Sequence, residues 1–226
     1  MQDKVIAITG GFGALGRAVV EAARAAGAKV AAIDFVAAPA VADDGVLRLG
    51  GVDLADPAAA EKAMAAVVDR FGRLDALVNV AGGFRWQSLA DGPFEGWEQL
   101  YRMNVLTAAA ASKAALPHLA ASGHGAIVNI GAAGAVKAAA GMGPYAASKG
   151  GVHRLTESLA EEWKGKVRVN AILPSTLDTP ANRADMPKAD PAAWVSPAEA
   201  AAVILFLVSD AASAVTGALL PVMGRV

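Results

Sequence analysis

The chain has no cysteine. That excludes disulfides, thiol nucleophiles and cysteine-based zinc sites, and it fits a reducing, cytoplasmic setting. Charge is scarce at 18% of residues, the formal net charge is −1, and no basic block occurs. A nucleic-acid or anionic-membrane partner therefore has no electrostatic support. Long apolar runs are missing too. The opening "MQDKVIAITGG" is broken by glycine too early for a signal peptide, and Ala200–Val208 falls far short of a membrane span. The histidines, His118, His124 and His153, share no metal-ligand spacing, so no metal is expected.

What remains is 226 residues, 55% of them apolar, enough for a single domain over 1–226 with a substantial core. Short apolar runs alternate with longer alanine-rich helical stretches. The runs predict strands at Val5–Thr9, Lys29–Asp34, Val46–Leu49, Ala76–Val80, Ala126–Ile130, Arg168–Leu173 and Ala218–Val222. Helices are expected at Ala14–Ala26, Pro57–Phe71, Glu95–Ala121, Tyr145–Trp163 and Pro197–Val208. Asp56-Pro57 and Ser196-Pro197 read as N-caps followed by proline at the first helical position. This alternation predicts an α/β fold: a doubly wound, Rossmann-type parallel sheet of about seven strands flanked by helices. The proline-rich stretch Pro174–Val195 is long for a connection in a compact domain and reads as a substrate lid.

"TGGFGALG", Thr9 to Gly16, follows the first strand and opens the first helix. Gly11, Gly13 and Gly16 satisfy G-x-G-x-x-G, which lets backbone approach a pyrophosphate at a helix N-terminus. Asp34 ends the second strand, where a carboxylate accepts hydrogen bonds from an adenosine ribose. The same carboxylate repels a 2′-phosphate, and its neighbours Phe35 and Val36 carry no offsetting cation. NAD(H) is thus expected in preference to NADP(H). Further on, Tyr145 and Lys149 lie four apart, on one face of a helix. An ammonium beside a phenol lowers the phenol's pKa, which suits Tyr145 to proton transfer near neutral pH. Alone, the pair also fits a packed tyrosine and a solvated lysine; the nucleotide signature tips the balance.

With these features in place, the chain resembles the short-chain dehydrogenase/reductase family over nearly its whole length. The motifs are "TGGFGALG", "VDLAD" (Val52–Asp56), "NVAG" (Asn79–Gly82), "MNV" (Met103–Val105), "YAASK" (Tyr145–Lys149), "VRVNAILP" (Val167–Pro174) and "TGALLPVMG" (Thr216–Gly224). The resemblance implies cofactor contacts from Gly10, Gly11, Gly13, Leu15 and Gly16. Asp53 and Leu54 would hold the adenine, and Asn79, Ala81 and Gly82 would line the adenosine side. Pro174, Leu177 and Thr179 would fix the nicotinamide. Lys149 would bind the nicotinamide ribose and tune Tyr145, with Asn104 supporting a water-linked proton relay. The family pairs helices such as Thr107–Ala121 and the Tyr145 helix across a dimer axis, which implies a homodimer or homotetramer. Packing of that small-residue face within one chain is the alternative.

Three positions depart from the family pattern: Ala14 replaces a glycine, Val80 an asparagine, and Ala132 the catalytic serine thirteen residues before the tyrosine. One branch shares the serine gap. The stretches "VAGGF" (Val80–Phe84), "GAAGAVKAAAGMGPYAASKGGVHRL" and "LPSTLDTPANRADMPKADPAAW" (Leu173–Trp194) are similar to quinonoid dihydropteridine reductase. Asn104 follows the general family instead. The expectation is an NADH-dependent oxidoreductase reducing quinonoid dihydropterin or a similar planar, electron-poor ring. Two alternatives stay open: a reductase or dehydrogenase of another carbonyl or alcohol, and a vestigial NAD(H)-binding regulator. Trp86 and Trp194 either stack on a flat substrate or serve packing.

Overall fold

The structure, a computed structural model, describes residues 1–40 and 44–225. Seven parallel strands form one sheet: β1 (Val5–Thr9), β2 (Lys29–Ile33), β3 (Leu47–Leu49), β4 (Ala76–Asn79), β5 (Gly125–Ile130), β6 (Val167–Pro174) and β7 (Leu219–Val222), in the order β3-β2-β1-β4-β5-β6-β7. The helices are α1 (Ala14–Ala25), α2 (Pro57–Phe71), α3 (Glu95–Tyr101), α4 (Thr107–Ser122), α5 (Gly143–Glu162), α6 (Pro180–Asp185) and α7 (Pro197–Val208).

The central strand β1 is buried along its whole length because both of its faces are covered. Val5 and Ala7 of β1 join one core with Met64 and Val67 of α2, Ala111, Ala115 and Leu119 of α4, and Leu159 of α5. Their neighbours Ile6 and Ile8 join the other core, with Val19 of α1 and Ile204 and Leu207 of α7. The two-residue period of a strand thus divides one apolar run between two cores.

The helix starts are set by side chains. Asp56 accepts from the Ala58 N–H at 3.0 Å. Ser196 accepts from the Glu199 N–H at 3.1 Å while Glu199 accepts from the Ser196 N–H at 2.8 Å, a reciprocal capping box. Each of these ties off amides that have no partner inside the helix.

Two elements differ from the sequence expectation. The long helix over Glu95–Ala121 is interrupted by a π-helical segment, Arg102–Leu106, in which the Thr107 N–H donates to Arg102 O, five residues back. The Pro174–Val195 stretch is not a plain loop. It contains α6, capped by the Thr179 hydroxyl accepting from the Asn182 N–H at 3.2 Å, and a short turn of 3₁₀-helix at Pro191–Ala193. Its base is closed by a backbone bridge between Leu177 and Val195. No helix among the described residues is long and apolar enough to cross a membrane.

Chain order reverses between β1 and β4: from β1 the chain goes to β2 on one side, and β4 starts the other side. In such sheets a crevice opens above the strand carboxyl ends at this switch point. The glycine turn after β1, Asp34 after β2, Ala81 and Gly82 after β4, Ala132 after β5 and the end of β6 at Pro174 all lie along that edge.

Candidate active site

The glycine turn is built to bring backbone close to a ligand. Gly10 has φ +62°, which side chains rarely allow, and a Cβ on it would lie 2.8 Å from Ala81 N. A Cβ on Gly16 would run into the Gly10 carbonyl, and one on Gly11 would lie 2.7 Å from Ala32 Cβ. Gly13 closes the turn by donating to Gly10 O at 3.1 Å and occupies the N-cap of α1 with no side chain to cap it. The first amides of α1 therefore stay free for an anion. Leu15, by contrast, packs into the core with α1. Ala14 sits at the first position of α1, where the structure accommodates it in the helix.

Asp34 is held from two sides: its Oδ2 accepts from the Phe12 N–H at 2.9 Å and its Oδ1 from the Val36 N–H at 3.3 Å. The turn and the carboxylate are thus one unit. Asp53 Oδ1 accepts from the Ala55 N–H at 3.0 Å, while Oδ2 pairs with Arg102 at 2.6 Å. Leu54 is buried in the core, so only its backbone is available to an adenine. A dinucleotide fits these groups: glycines without Cβ atoms where the diphosphate passes, free amides at a helix start, and a fixed acceptor for the ribose.

The side chain of Asn79, the last residue of β4, is turned into the interior. It is 3% exposed and donates to Ser112 at 3.0 Å and to Asn129 at 2.9 Å. Asn129 in turn donates to Thr156 at 2.9 Å. The amide belongs to a buried ladder joining β4, β5, α4 and α5. Ala81 completes the neighbouring turn by donating its N–H to the Thr9 hydroxyl at 3.1 Å.

Lys149 is 6% exposed, and its ammonium donates to Ile130 O at 2.7 Å. Burial brings its pKa down to about 8. Tyr145 departs from expectation. Burial pushes its phenol up to about 12, rather than Lys149 pulling it down. The reason is geometric: the lysine is engaged with β5, and the phenol sits in a poorly hydrated place that disfavours phenolate. Tyr145 therefore holds its proton at neutral pH, as a donor requires. Phe84 packs edge-on against its ring, with centroids 4.9 Å apart and planes at 84°.

Asn104 ties the site to the loop after β4. Its Oδ1 accepts from the Gly83 N–H at 2.8 Å, and its Nδ2 donates to Gly83 O at 3.1 Å and to Ser148 Oγ at 2.9 Å. Ser148 passes the link on, donating to Tyr145 O at 2.8 Å. Gly82 must lack a side chain here: a Cβ would lie 2.6 Å from Asn104 Oδ1 and 3.3 Å from Lys149 Nζ. The structure thus brings Gly82, Asn104, Tyr145 and Lys149 together.

At the end of β6, Pro174 is buried, Leu177 accepts from the Asn182 side chain at 2.8 Å, and Thr179 caps α6. The tryptophans separate. Trp194 is 6% exposed at the base of its segment, where its backbone lies beside Gly224, so it offers no face to a substrate. Trp86 is 62% exposed, lies over the Gly141 backbone, and donates to Ala140 O at 3.2 Å. Ala132 is buried where the family's serine would stand, and its N–H donates to His153 Nε2 at 3.2 Å. Sequence reasoning assigned no role to Phe84, Ser148 or Arg102. Phe84 immediately follows "VAGG", and Ser148 lies inside "YAASK", so both stood next to recognised motifs.

The chain is similar to known proteins in both sequence and fold. The chain is 32% identical over 246 residues to 2-(S)-hydroxypropyl-CoM dehydrogenase 3 of Xanthobacter autotrophicus, covering 99% of this chain and 96% of the relative. It is 34% identical over 241 residues to D-threitol dehydrogenase of Mycolicibacterium smegmatis, covering 99% and 93%. Among solved structures, ligand-free aldohexose dehydrogenase of Thermoplasma acidophilum superposes with a TM-score of 0.89 at 27% identity, covering 99% of this chain and 94% of the other. The 3-ketoacyl-(acyl-carrier-protein) reductase of Brucella melitensis, complexed with NADH, gives 0.87 at 29% identity, covering 99% and 98%. The sequence profile of the short chain dehydrogenase family matches residues 4–190, and the chain belongs to that family.

Proposed function

We propose that the protein transfers hydride between NAD(H) and a small-molecule carbonyl or alcohol, with Tyr145 as proton donor in the reducing direction. The observation that carries this is the convergence of Tyr145, Lys149 and Asn104 on the cleft edge beside the glycine turn. A bound nicotinamide supplies the hydride. The chain's own residues do the rest. The glycine turn and the free amides of α1 take the diphosphate, and Asp34 takes the adenosine ribose. Asp53 and the Leu54 backbone meet the adenine beside Ala81. Lys149 holds the nicotinamide ribose, and Pro174, Leu177 and Thr179 border its ring. Tyr145, protonated in its half-buried position, donates at its phenolic oxygen, and Asn104 holds Gly83 and Ser148 around it. One domain with the 174–195 segment as substrate lid, acting as a homodimer or homotetramer, fits this reading.

A second reading is favoured by Ala132 and the aromatic side chains. Ketone reduction builds negative charge on oxygen, and a second donor stabilises it. Ala132 provides no hydroxyl. Phe84, edge-on to Tyr145, and exposed Trp86 suit a flat ring. A quinonoid dihydropterin, or a similar electron-poor ring, develops less oxyanion character and needs fewer donors. Loss of NADH absorbance with a panel of simple ketones, polyol-derived ketoses, quinones and quinonoid dihydropterin separates the two readings. Turnover of ketones alone rejects the ring reading. Turnover of the rings alone rejects the carbonyl reading. Firm NADH binding with no turnover on any of them rejects both and leaves a binding protein.

A further inference from the structure

Behind Ala132 lies a buried imidazole to which this reaction scheme gives no part. His153 sits one turn beyond Lys149 on α5 and is 3% exposed. Its Nε2 accepts the Ala132 N–H at 3.2 Å, which leaves the ring proton on Nδ1. The residue before Ala132 fits the same ring: a Cβ on Gly131 would lie 2.5 Å from His153 Nε2 and 3.2 Å from Leu173 of β6. Two residues upstream of Ala132, Ile130 O accepts the Lys149 ammonium at 2.7 Å. The three residues that leave β5 are therefore clamped at both ends by α5, with Lys149 on a carbonyl and His153 on an amide.

We propose that His153 is a positioning residue for Lys149: by accepting the Ala132 N–H it fixes the end of β5, and with it the Ile130 carbonyl that aims the lysine into the cofactor cleft, and it does so only as a neutral ring. The role rests on reading Lys149 as a cofactor-binding residue. Protonation would convert Nε2 from acceptor to donor, facing another N–H, and would place a second cation near Lys149. The charged groups acting on the ring are Lys149, Arg154 and Glu157, all on α5, while the segment leaving β5 faces it with Gly131 and Ala132, and β6 packs Leu173 against Gly131. Burial, reinforced by Arg154 and Lys149, holds its pKa below the ordinary histidine value, so the ring is neutral at physiological pH.

The test is NADH affinity, followed by fluorescence titration between about pH 5 and pH 8, for the unmodified protein, His153→Gln and His153→Leu. Glutamine carries an oxygen that accepts the same N–H and does not titrate; leucine fills space without an acceptor. The unmodified protein should lose affinity toward the acid end of this range. His153→Gln should bind within about threefold of it at pH 7.5 and keep that affinity in acid. His153→Leu should bind roughly tenfold more weakly even at pH 7.5, the expected scale for stranding a buried N–H. An unchanged acid loss in His153→Gln, or unimpaired binding by His153→Leu, overturns the role. Failure of the unmodified protein to bind NADH at pH 7.5 would instead overturn the reading of Lys149 and the cleft, and this role with it.

Discussion

Asp34 should make the protein discriminate against NADPH. Its carboxylate is pinned between the Phe12 and Val36 amides, so it cannot swing away from a group on the ribose 2′ position. Two unit charges about 4 Å apart repel by about 4 kcal/mol at an effective dielectric of about 20. The site is partly open to water, so a discounted figure of about 2–3 kcal/mol is appropriate. That corresponds to roughly 30- to 150-fold weaker binding of NADPH than of NADH. Isothermal titration with both cofactors measures the ratio. Asp34→Asn is the informative variant, because an amide oxygen still accepts the Phe12 N–H while the charge is gone. Its ratio should fall to within about threefold, chiefly through tighter NADPH binding. Equal affinities in the unmodified protein, or an unchanged ratio in Asp34→Asn, would refute the electrostatic reasoning.

Tyr145→Phe should leave NADH affinity unchanged and slow turnover by roughly 10²–10⁴, as loss of a proton donor does; stopped-flow single turnovers check it, and unchanged rates would exclude Tyr145 as the acid. Turnover should also decline as pH rises through about 8, where Lys149 loses its charge. Because its pKa is lowered on folding, deprotonation favours the folded state, so stability should rise across the same pH range in which activity falls. Opposite trends in a pH series of rates and thermal unfolding test both signs, and parallel trends would contradict them. Ala132→Ser should raise ketone turnover, up to about a hundredfold where the hydroxyl is well aligned, and leave reduction of quinonoid rings nearly unchanged; the ratio of the two rates in matched assays reads it.

Much of this was legible in the sequence because strong local signals agreed. β1 and α2 match their expected bounds, since a buried apolar run ending in glycines and an Asp-Pro cap leave little freedom. The glycine turn, Asp34 and the Tyr145–Lys149 spacing were equally clear. What escaped depended on distant parts of the chain. The Asn79 amide is drawn inward by Ser112 and Asn129, and Asn129 is held in turn by Thr156, so three other elements take part. Trp194 is buried because a backbone bridge between Leu177 and Val195 folds its segment onto itself, and nothing local announces that. The four-residue spacing of Tyr145 and Lys149 gives a shared helix face but not the direction of the ammonium, which Ile130 O decides. A π-helical interruption is invisible to a reading by apolar period, because it changes the backbone and leaves the pattern on either side nearly intact.

That interruption has a geometric consequence. A π segment of this kind is an α-helix that has absorbed one surplus residue. Downstream of it, Ala111, Ala115 and Leu119 of α4 reach the core. The surplus is spent locally, between Arg102, which engages Asp53, and Asn104, which engages Gly83 and Ser148. One widened turn therefore sends Arg102 to the adenine side of the cleft and, two positions on, Asn104 to the side that holds Tyr145.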